Sequence, residues 1–343
     1  MVTEDDARQV LPDYFDIQDG KKHARFLVAG SLPVKFDHKA KLEELWKAHE
    51  KGLEEFRLLD LSDKPTAVKD NLLDLKVLIA DRILEQCHLC ERRCQVNRKK
   101  KTGACGVTDE PHISCEFLHM GEEPELVPSH TIFFSGCTFK CVFCQNWDIS
   151  QSPSSGDRMA PKEVADLIDR RCGRNVNWVG GDPTSNLPFI LKVLQRLDLN
   201  LAQVWNSNMY LTEEAMRLLD GTMDIYLADF KYGNNLCGER LSGVKQYFEV
   251  VTRNHLEANR QSEMIIRHLV LPGHLECCTR PILDWISKNL DNSKVRVNIM
   301  DQYHPDYLIV KHPKDFPELN SRLSNKEWLM AYHYGKELGL NLI

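Results

Sequence analysis

The strongest constraint on how this chain folds is an alternation that begins at Thr131 and runs to about residue 303. Six segments read as strands: residues 131–136, 175–181, 202–208, 224–232, 263–273 and 294–303. Between them, apolar residues take helical spacing near 161–172, 186–197, 212–220, 239–258 and 279–289. Several strands are apolar on both faces, as strands are when helices cover a parallel sheet. Repeating βα units predict a parallel α/β fold, open or closed, and six units are fewer than the eight of a complete barrel. No repeat of solenoid type accompanies the pattern.

The flanks are less regular. Residues 1 to about 37 have no clear period and are expected to form an irregular arm. Leu42, Leu45, Trp46, Leu53 and Phe56 stripe an amphipathic helix within 39–59, and Leu72, Leu75, Leu78, Ile79 and Ile83 stripe a second that ends near Gln86. Residues 87–128 are short on periodicity, and Arg98-Lys99-Lys100-Lys101 reads as a solvated loop. The expected organisation is an N-terminal arm and helical extension over 1–86 and a Cys-rich metal-binding segment over 87–128. The βα body follows over 129–305, then a tail over 306–343 with a helix near 325–338.

Cysteine is the compositional outlier, at 12 of 343 residues. Disulfide-dense secreted scaffolds are usually short and carry a leader. The opening MVTEDDARQV is acidic and lacks a leader's apolar stretch, and no apolar run is long enough to span a bilayer. A cytoplasmic protein with no membrane partner is expected, its thiols reduced or metal-bound. Lys plus Arg number 44 against 50 Asp plus Glu, a net charge of -6, so there is no strong nucleic-acid signal.

Seven of the cysteines fall in two groups. Cys137-x3-Cys141-x2-Cys144 directly follows the strand that ends in Ser135-Gly136. Three thiolates on a tight loop suit a [4Fe-4S] cluster and leave one iron without a protein donor. The alternative is a zinc knuckle with Cys115 or His130 as fourth ligand. Cys87-x2-Cys90-x3-Cys94-x10-Cys105 supplies four ligands, a set that permits a second iron–sulfur cluster or a tetrahedral zinc. A cluster there would relay electrons, whereas zinc would staple a region poor in apolar residues.

The three-cysteine spacing, with Phe143 before its last member and a βα series behind it, resembles the radical S-adenosylmethionine (SAM) superfamily. From about residue 87 to 338 the chain is similar to the pyruvate formate-lyase activating enzyme-related subfamily. The matching stretches are CHLCERRC with Asn97-Arg98, Gly121-Glu122-Glu123-Pro124, TIFFSGC through CVFCQNWDIS, GGDPT, VWNSN, DIYLADFKY, IIRHLVLPG and NIMDQYHP, in family order and spacing. The resemblance implies a partial (β/α)6 barrel with the cluster at the C-terminal ends of the strands. It also implies an oxidoreductase. An electron from a low-potential donor of ferredoxin or flavodoxin type enters the cluster and cleaves SAM to methionine and a 5′-deoxyadenosyl radical. That radical takes hydrogen from a peptide or protein, as in glycyl-radical activases. A modifier of a small molecule or RNA, and a non-catalytic metal-stabilised binding module, stand as alternatives.

The same resemblance carries individual residues. Gly180 and Gly181 end the second strand, where glycine lets the backbone approach a ligand. Asp182 stands where the family usually has Glu, which favours a backbone contact with the amino group of SAM over a side-chain one. Asn206 and Asn208 end the third strand and either reach the cofactor or cap their turn. Asn206 stands where related activating enzymes often carry an acid. Asp229 and Lys231 alternate with Phe230 and share a face, as a structural ion pair or as groups that orient the ribose or carboxylate of SAM. Arg267 has the planar fork to pair with the cofactor carboxylate, while His268 points to the other side. Gln302 and Tyr303 are expected toward the substrate, and the first 37 residues as a cover over the reacting centre. Cys115, Cys172, Cys237, Cys277 and Cys278 have no assigned role.

Overall fold

The six expected strands form one sheet, and two strands absent from the sequence reading extend it. The computed structural model describes residues 4–343. Its strands are β1 (His112–His119), β2 (Ser129–Phe134), β3 (Asp157–Arg158), β4 (Asn175–Gly180), β5 (Ala202–Ser207), β6 (Ile225–Asp229), β7 (Glu263–Leu269) and β8 (Val295–Met300). They lie in the order β3-β1-β2-β4-β5-β6-β7-β8. β2 and β4 to β8 run parallel, while β1 pairs antiparallel with β2 and β3 with β1. The sheet is not closed, as a partial barrel requires. At the β8 edge the Val297 N–H donates to Asn341 and the Ile343 N–H to Val297, so the C-terminal residues pair with the exposed edge.

The strands look apolar on both faces in sequence because their two faces differ along their length. Trp178, Trp205, Tyr226 and Met264 occupy one level of the outer face and are fully buried. Helices cover that face: Phe189 of the helix Leu187–Leu194 meets Phe134, and Phe230 packs on His255 and Trp285 from the helices Tyr247–Gln261 and Arg280–Asn289. On the inner face β6 is apolar at Ile225 and Leu227, then polar at Asp229, which lies level with Arg267 and Asn298. Polar side chains therefore gather inside, at the C-terminal ends of the strands.

The β1–β2 connection fills that interior. Glu123 accepts from Arg267 Nε at 2.7 Å and from Asn298 Nδ2 at 2.9 Å, Glu122 pairs with Arg267 and accepts from Asn177 Nδ2 at 3.1 Å, and Glu125 pairs with Arg296 at 3.0 Å. β1 itself is half exposed and short on hydrophobic contrast, which hides it within the Cys-rich segment.

The N-terminal arm differs from expectation in form and place. It is three short helices, Glu4–Val10, Pro12–Gln18 and Arg25–Ser31, each 7 residues long and so too short to display a period. It does not cover the C-terminal ends of the strands. Leu11, Tyr14, Phe15 and Phe26 are buried at the opposite end of the barrel. There Glu263, the first residue of β7, accepts from the Asp13 and Tyr14 N–H groups at 2.6 and 2.9 Å, and Asn175, the first of β4, donates to Tyr14 Oη at 2.9 Å. An open barrel would otherwise leave its lower core wet. The two expected long helices are Leu42–Phe56 and Leu72–Ile83, the second with an Asn71–Asp74 capping box. The single helix expected at 239–258 is two, Asn235–Ser242 and Tyr247–Gln261, separated at Gly243 with φ of +62°. The tail helix is Asn325–Glu337. Among the described residues no helix is long and apolar enough to cross a membrane.

Burial pushes the Glu263 carboxyl from 4.5 up to about 8. Unfolded, this group ionises near 4.5 while the folded chain keeps its proton to about 8, so its contribution to stability falls as pH rises through that window. The melting temperature of the wild type relative to Glu263→Gln should therefore drop between about pH 4.5 and 8. An offset that stays constant with pH in thermal melts would disprove that burial keeps this carboxyl protonated in the fold.

Candidate active site

The site begins where β2 ends. Gly136 leaves the strand with φ of +85°, and a Cβ there would stand 2.4 Å from Val107 Cγ2 and 2.8 Å from the Cys105 carbonyl oxygen. Gly180 has φ of +128°, and a Cβ on it would stand 2.1 Å from the Phe134 oxygen. A Cβ on Gly181 would stand 2.1 Å from the Gly136 oxygen. The Gly181 and Asp182 N–H groups donate to Phe134 and Gly136 at 2.8 and 3.1 Å. Gly180 and Gly181 are required because the end of β4 presses its backbone onto the end of β2 and the turn that carries Cys137, and Gly136 because Cys105 and Val107 pack against that turn.

Cys137, Cys141 and Cys144 face one cavity at the C-terminal ends of the strands. Phe143, Gly180, Gly181, Asp182, Asn206, Asn208, Asp229, Lys231 and Arg267 line it too. Every expected cofactor-contacting residue thus reaches the same space. Burial pushes the Cys141 thiol up to about 11 and raises Cys137 well above the usual thiol range, so a metal must displace protons to bind them. Cys141 Sγ lies 2.9 Å from Ser242 Oγ, Cys144 Sγ 3.2 Å from Ser150 Oγ, and Tyr232 Oη 2.6 Å from Ser242 Oγ. A thiolate can only accept, so on ionisation Ser242 donates to Cys141 and Tyr232 donates to Ser242.

The wall residues differ in how free they are. Asp182 is consumed by its own turn: it accepts from the Thr184 N–H at 2.9 Å, Ser207 Oγ at 3.2 Å and the Asn208 N–H at 3.1 Å. Burial nevertheless raises its pKa. Asn208 Nδ2 donates to Thr138 Oγ1 at 2.9 Å, which braces the cysteine loop. Asn206 is the exception, since its Nδ2 is buried without a hydrogen-bond partner among the described residues. An amide donor left over in a cavity wall is a group waiting for a ligand. Lys231 Nζ donates to Asp229 at 2.7 Å, so the two do share a face. Arg267 spends Nε and Nη2 on Glu122 and Glu123. His268 is satisfied on both ring nitrogens by Phe230 O and Thr279 Oγ1 at 2.8 and 2.9 Å. Tyr303 is buried edge-on to Phe143 and donates to the Leu319 carbonyl at 2.6 Å, turning its hydroxyl from the cavity, while Gln302 presents its carbonyl to Gln145 at 3.2 Å.

The zinc-knuckle alternative loses its fourth ligand. Cys115 is exposed on β1, and His130 sits near the start of β2, bonded to Glu116 at 2.8 Å, whereas Cys137 lies beyond the end of that strand. Neither lines the cavity, in which three thiols stand beside an unpartnered amide. That donor set fits a cluster with one iron left for a small-molecule ligand.

The other cysteine group lies directly behind. Cys94 and Cys105 both approach Gly103, where a Cβ would be 3.5 and 3.3 Å from their sulfurs. Arg92 donates to the Thr138 carbonyl, and the Cys105 carbonyl backs onto Gly136. Buried Arg98 sits 3.6 Å from Cys87 Sγ and donates to Thr108 O and Ser185 O at 2.7 and 3.1 Å. The Arg98 run is therefore not wholly solvated, because its first member is structural. Sequence reasoning also missed Ser242, Tyr232 and the Glu122–Glu123 pair as parts of the site. Ser242 lies 101 positions from Cys141 and carries no local signal. Ser150 and the glutamates stand inside stretches that carry the family resemblance.

The chain is similar to several known proteins. The chain is 50% identical over 343 residues to the uncharacterized protein MJ0674 of Methanocaldococcus jannaschii, an alignment that spans 97% of this chain and 99% of that one. Similar solved structures include SuiB of Streptococcus suis bound to the precursor peptide SuiA, at 14% identity over 87% of this chain and 60% of that one with a TM-score of 0.45. A domain of pyruvate-formate lyase-activating enzyme from Bacteroides vulgatus has 14% identity over 50% of this chain and 98% of its own, with a TM-score of 0.40. Residues 131–286, which hold the three cysteines and the cavity-lining residues of β4 to β7, match the Radical SAM superfamily. The chain is a member of the radical SAM superfamily, with the [4Fe-4S] cluster and SAM that membership implies.

Proposed function

We propose that this protein reductively cleaves SAM and takes hydrogen from a peptide or protein, in the manner of a glycyl-radical activase. The observation that carries the reading is the single cavity in which Cys137, Cys141 and Cys144 face the unpartnered amide of Asn206. When bound, the cluster and SAM supply a low-potential electron and the 5′-deoxyadenosyl radical that abstracts hydrogen. The chain's own residues do the rest. Cys137, Cys141 and Cys144 would hold the cluster, with Ser242 and Ser150 placed to donate to the Cys141 and Cys144 thiolates. Asn206 Nδ2 offers a hydrogen bond to SAM, and Lys231, tethered by Asp229, presents a positive charge to its carboxylate. Phe143, Val179 and Leu269 add apolar surface to an otherwise polar wall. Arg267, committed to Glu122 and Glu123, acts as a positioning residue for the wall in this reading.

A peptide or protein substrate is supported by the mouth. The N-terminal arm lies at the other end of the barrel, which leaves this face without that cover. At the rim half-exposed Trp147 stacks on Tyr307 at 5.6 Å, with Lys311 Nζ 5.1 Å from both rings. Such a cationic aromatic platform suits a chain laid across the surface. The resemblance to pyruvate formate-lyase activating enzyme-related proteins points the same way.

Anaerobically reconstituted protein given dithionite and SAM is expected to release 5′-deoxyadenosine and methionine. No release with a full cluster would replace the enzyme by a metal-stabilised binding module. Deuterium from labelled candidate proteins should then appear in 5′-deoxyadenosine, and transfer from a small molecule or RNA alone would sink the peptide reading.

Two further outcomes follow from the thiol surroundings. A hydrogen bond worth about 1 kcal/mol to a cluster thiolate corresponds to roughly 40 mV for a one-electron couple. Ser242→Ala should therefore lower the cluster potential by an amount of that order in an EPR-monitored titration, at unchanged iron content. The Cys137→Ala/Cys141→Ala/Cys144→Ala variant should retain iron and sulfide at Cys87, Cys90, Cys94 and Cys105, whose contact with the Cys137 turn suits electron relay. Loss of all iron, with retained zinc that only Cys87→Ser/Cys90→Ser removes, would mark that group as a staple.

A further inference from the structure

Three of the five unassigned cysteines converge outside the two sequence groups. Cys237 projects from the helix Asn235–Ser242, and Cys277 and Cys278 come from a π-helical turn, Leu275–Thr279. From His274 Nδ1 their sulfurs lie at 3.7, 3.3 and 3.8 Å, and Cys277 Sγ is 3.9 Å from Cys278 Sγ. All four ligand atoms fall within 4.8 Å of one another. A zinc ion with bonds of about 2.3 Å to sulfur and 2.0–2.1 Å to nitrogen spans a tetrahedron with edges of about 3.8 Å between sulfurs and roughly 3.6 Å from sulfur to nitrogen. The cage already has that size. An iron–sulfur cluster puts several irons and sulfides between its thiolates and holds them farther apart.

The surroundings are built for this grouping. Asn234 ties the two ligand-bearing segments together: its Oδ1 caps the Cys237 N–H at 2.9 Å and its Nδ2 donates to the Cys277 carbonyl at 2.7 Å. Gly233 is forced by the same approach, since a Cβ there would stand 2.7 Å from the Cys278 oxygen. His274 turns Nε2 toward Glu318 at 3.9 Å, and Arg240 holds that carboxylate at 2.6 Å. A carboxylate behind one ring nitrogen orients the other toward a metal. The π-helical turn widens the backbone by one residue, which turns consecutive cysteines toward one ring.

We propose that Cys237, His274, Cys277 and Cys278 form a closed, structural zinc site that clamps the connection after β7 to the helix after β6. With four protein ligands the ion has no open position, so it takes no part in the chemistry of the cavity. It fixes the helix Asn235–Ser242, whose far end brings Ser242 to within 2.9 Å of Cys141.

Zinc and iron analysis of the anaerobically purified full chain tests this. The wild type is expected to hold a zinc ion that Cys237→Ser/Cys277→Ser loses while iron and sulfide are kept. Zinc retained by the variant, a wild type without zinc, or iron lost in place of zinc overturns the proposal. X-ray absorption at the zinc edge of the unmodified protein gives an answer that does not depend on a variant folding. A shell of sulfur with a nitrogen contribution supports the site, and an all-sulfur shell assigns the zinc to the Cys87 group and overturns it.

Discussion

A charge placed inside an open barrel has to be answered from within, and here Arg267 is answered by Glu122 and Glu123. β7 turns Arg267 inward at the level where the cavity starts, and the β1–β2 connection brings both carboxylates to it. Burying three charges is costly, and removing one partner from such a group leaves an uncompensated charge at about 3–5 kcal/mol. The pairing fixes where the β1–β2 connection sits, and through Asn177 and Asn298 it fixes two more strands. The cavity above it therefore has a rigid polar floor. Glu125 with Arg296 repeats the arrangement one level lower.

The upper and lower ends of the barrel solve different problems. Below, the need is to exclude water from an unclosed core, and the arm does so with aromatic side chains and backbone donors aimed at the first residues of strands. Above, the need is an accessible space with few spare polar groups. Most wall residues there are already bonded to the protein, and Asn206 Nδ2 is a buried wall donor without a partner among the described residues.

Much of this was legible in sequence where a pattern repeats over many residues. The six parallel strands, the cysteine turn and the shared face of Asp229 and Lys231 follow from period and spacing alone. The arm was illegible because helices of 7 residues show no period and their anchors, Glu263 and Asn175, are far away in sequence. The break at Gly243 was missed because the flanking helices share an apolar character that reads as continuous. The role of Arg267 was only half visible: its charge and inward direction can be read from β7, but its partners sit 144 and 145 positions earlier. Ser242 and the Cys237–His274–Cys277–Cys278 cage are tertiary facts with no local motif to reveal them.

The contact of Gly181 with Gly136 has a consequence for evolution of this site. The turn that carries Cys137 is seated on main chain, with no side chain between it and the sheet to shrink, swell or change rotamer. Its position relative to the wall of the cavity is therefore inherited from the geometry of the sheet itself. Adaptation to a new substrate has no slack to use at the thiols, and is left to the outer rim, where residues such as Trp147 and Tyr307 can be exchanged without moving the centre.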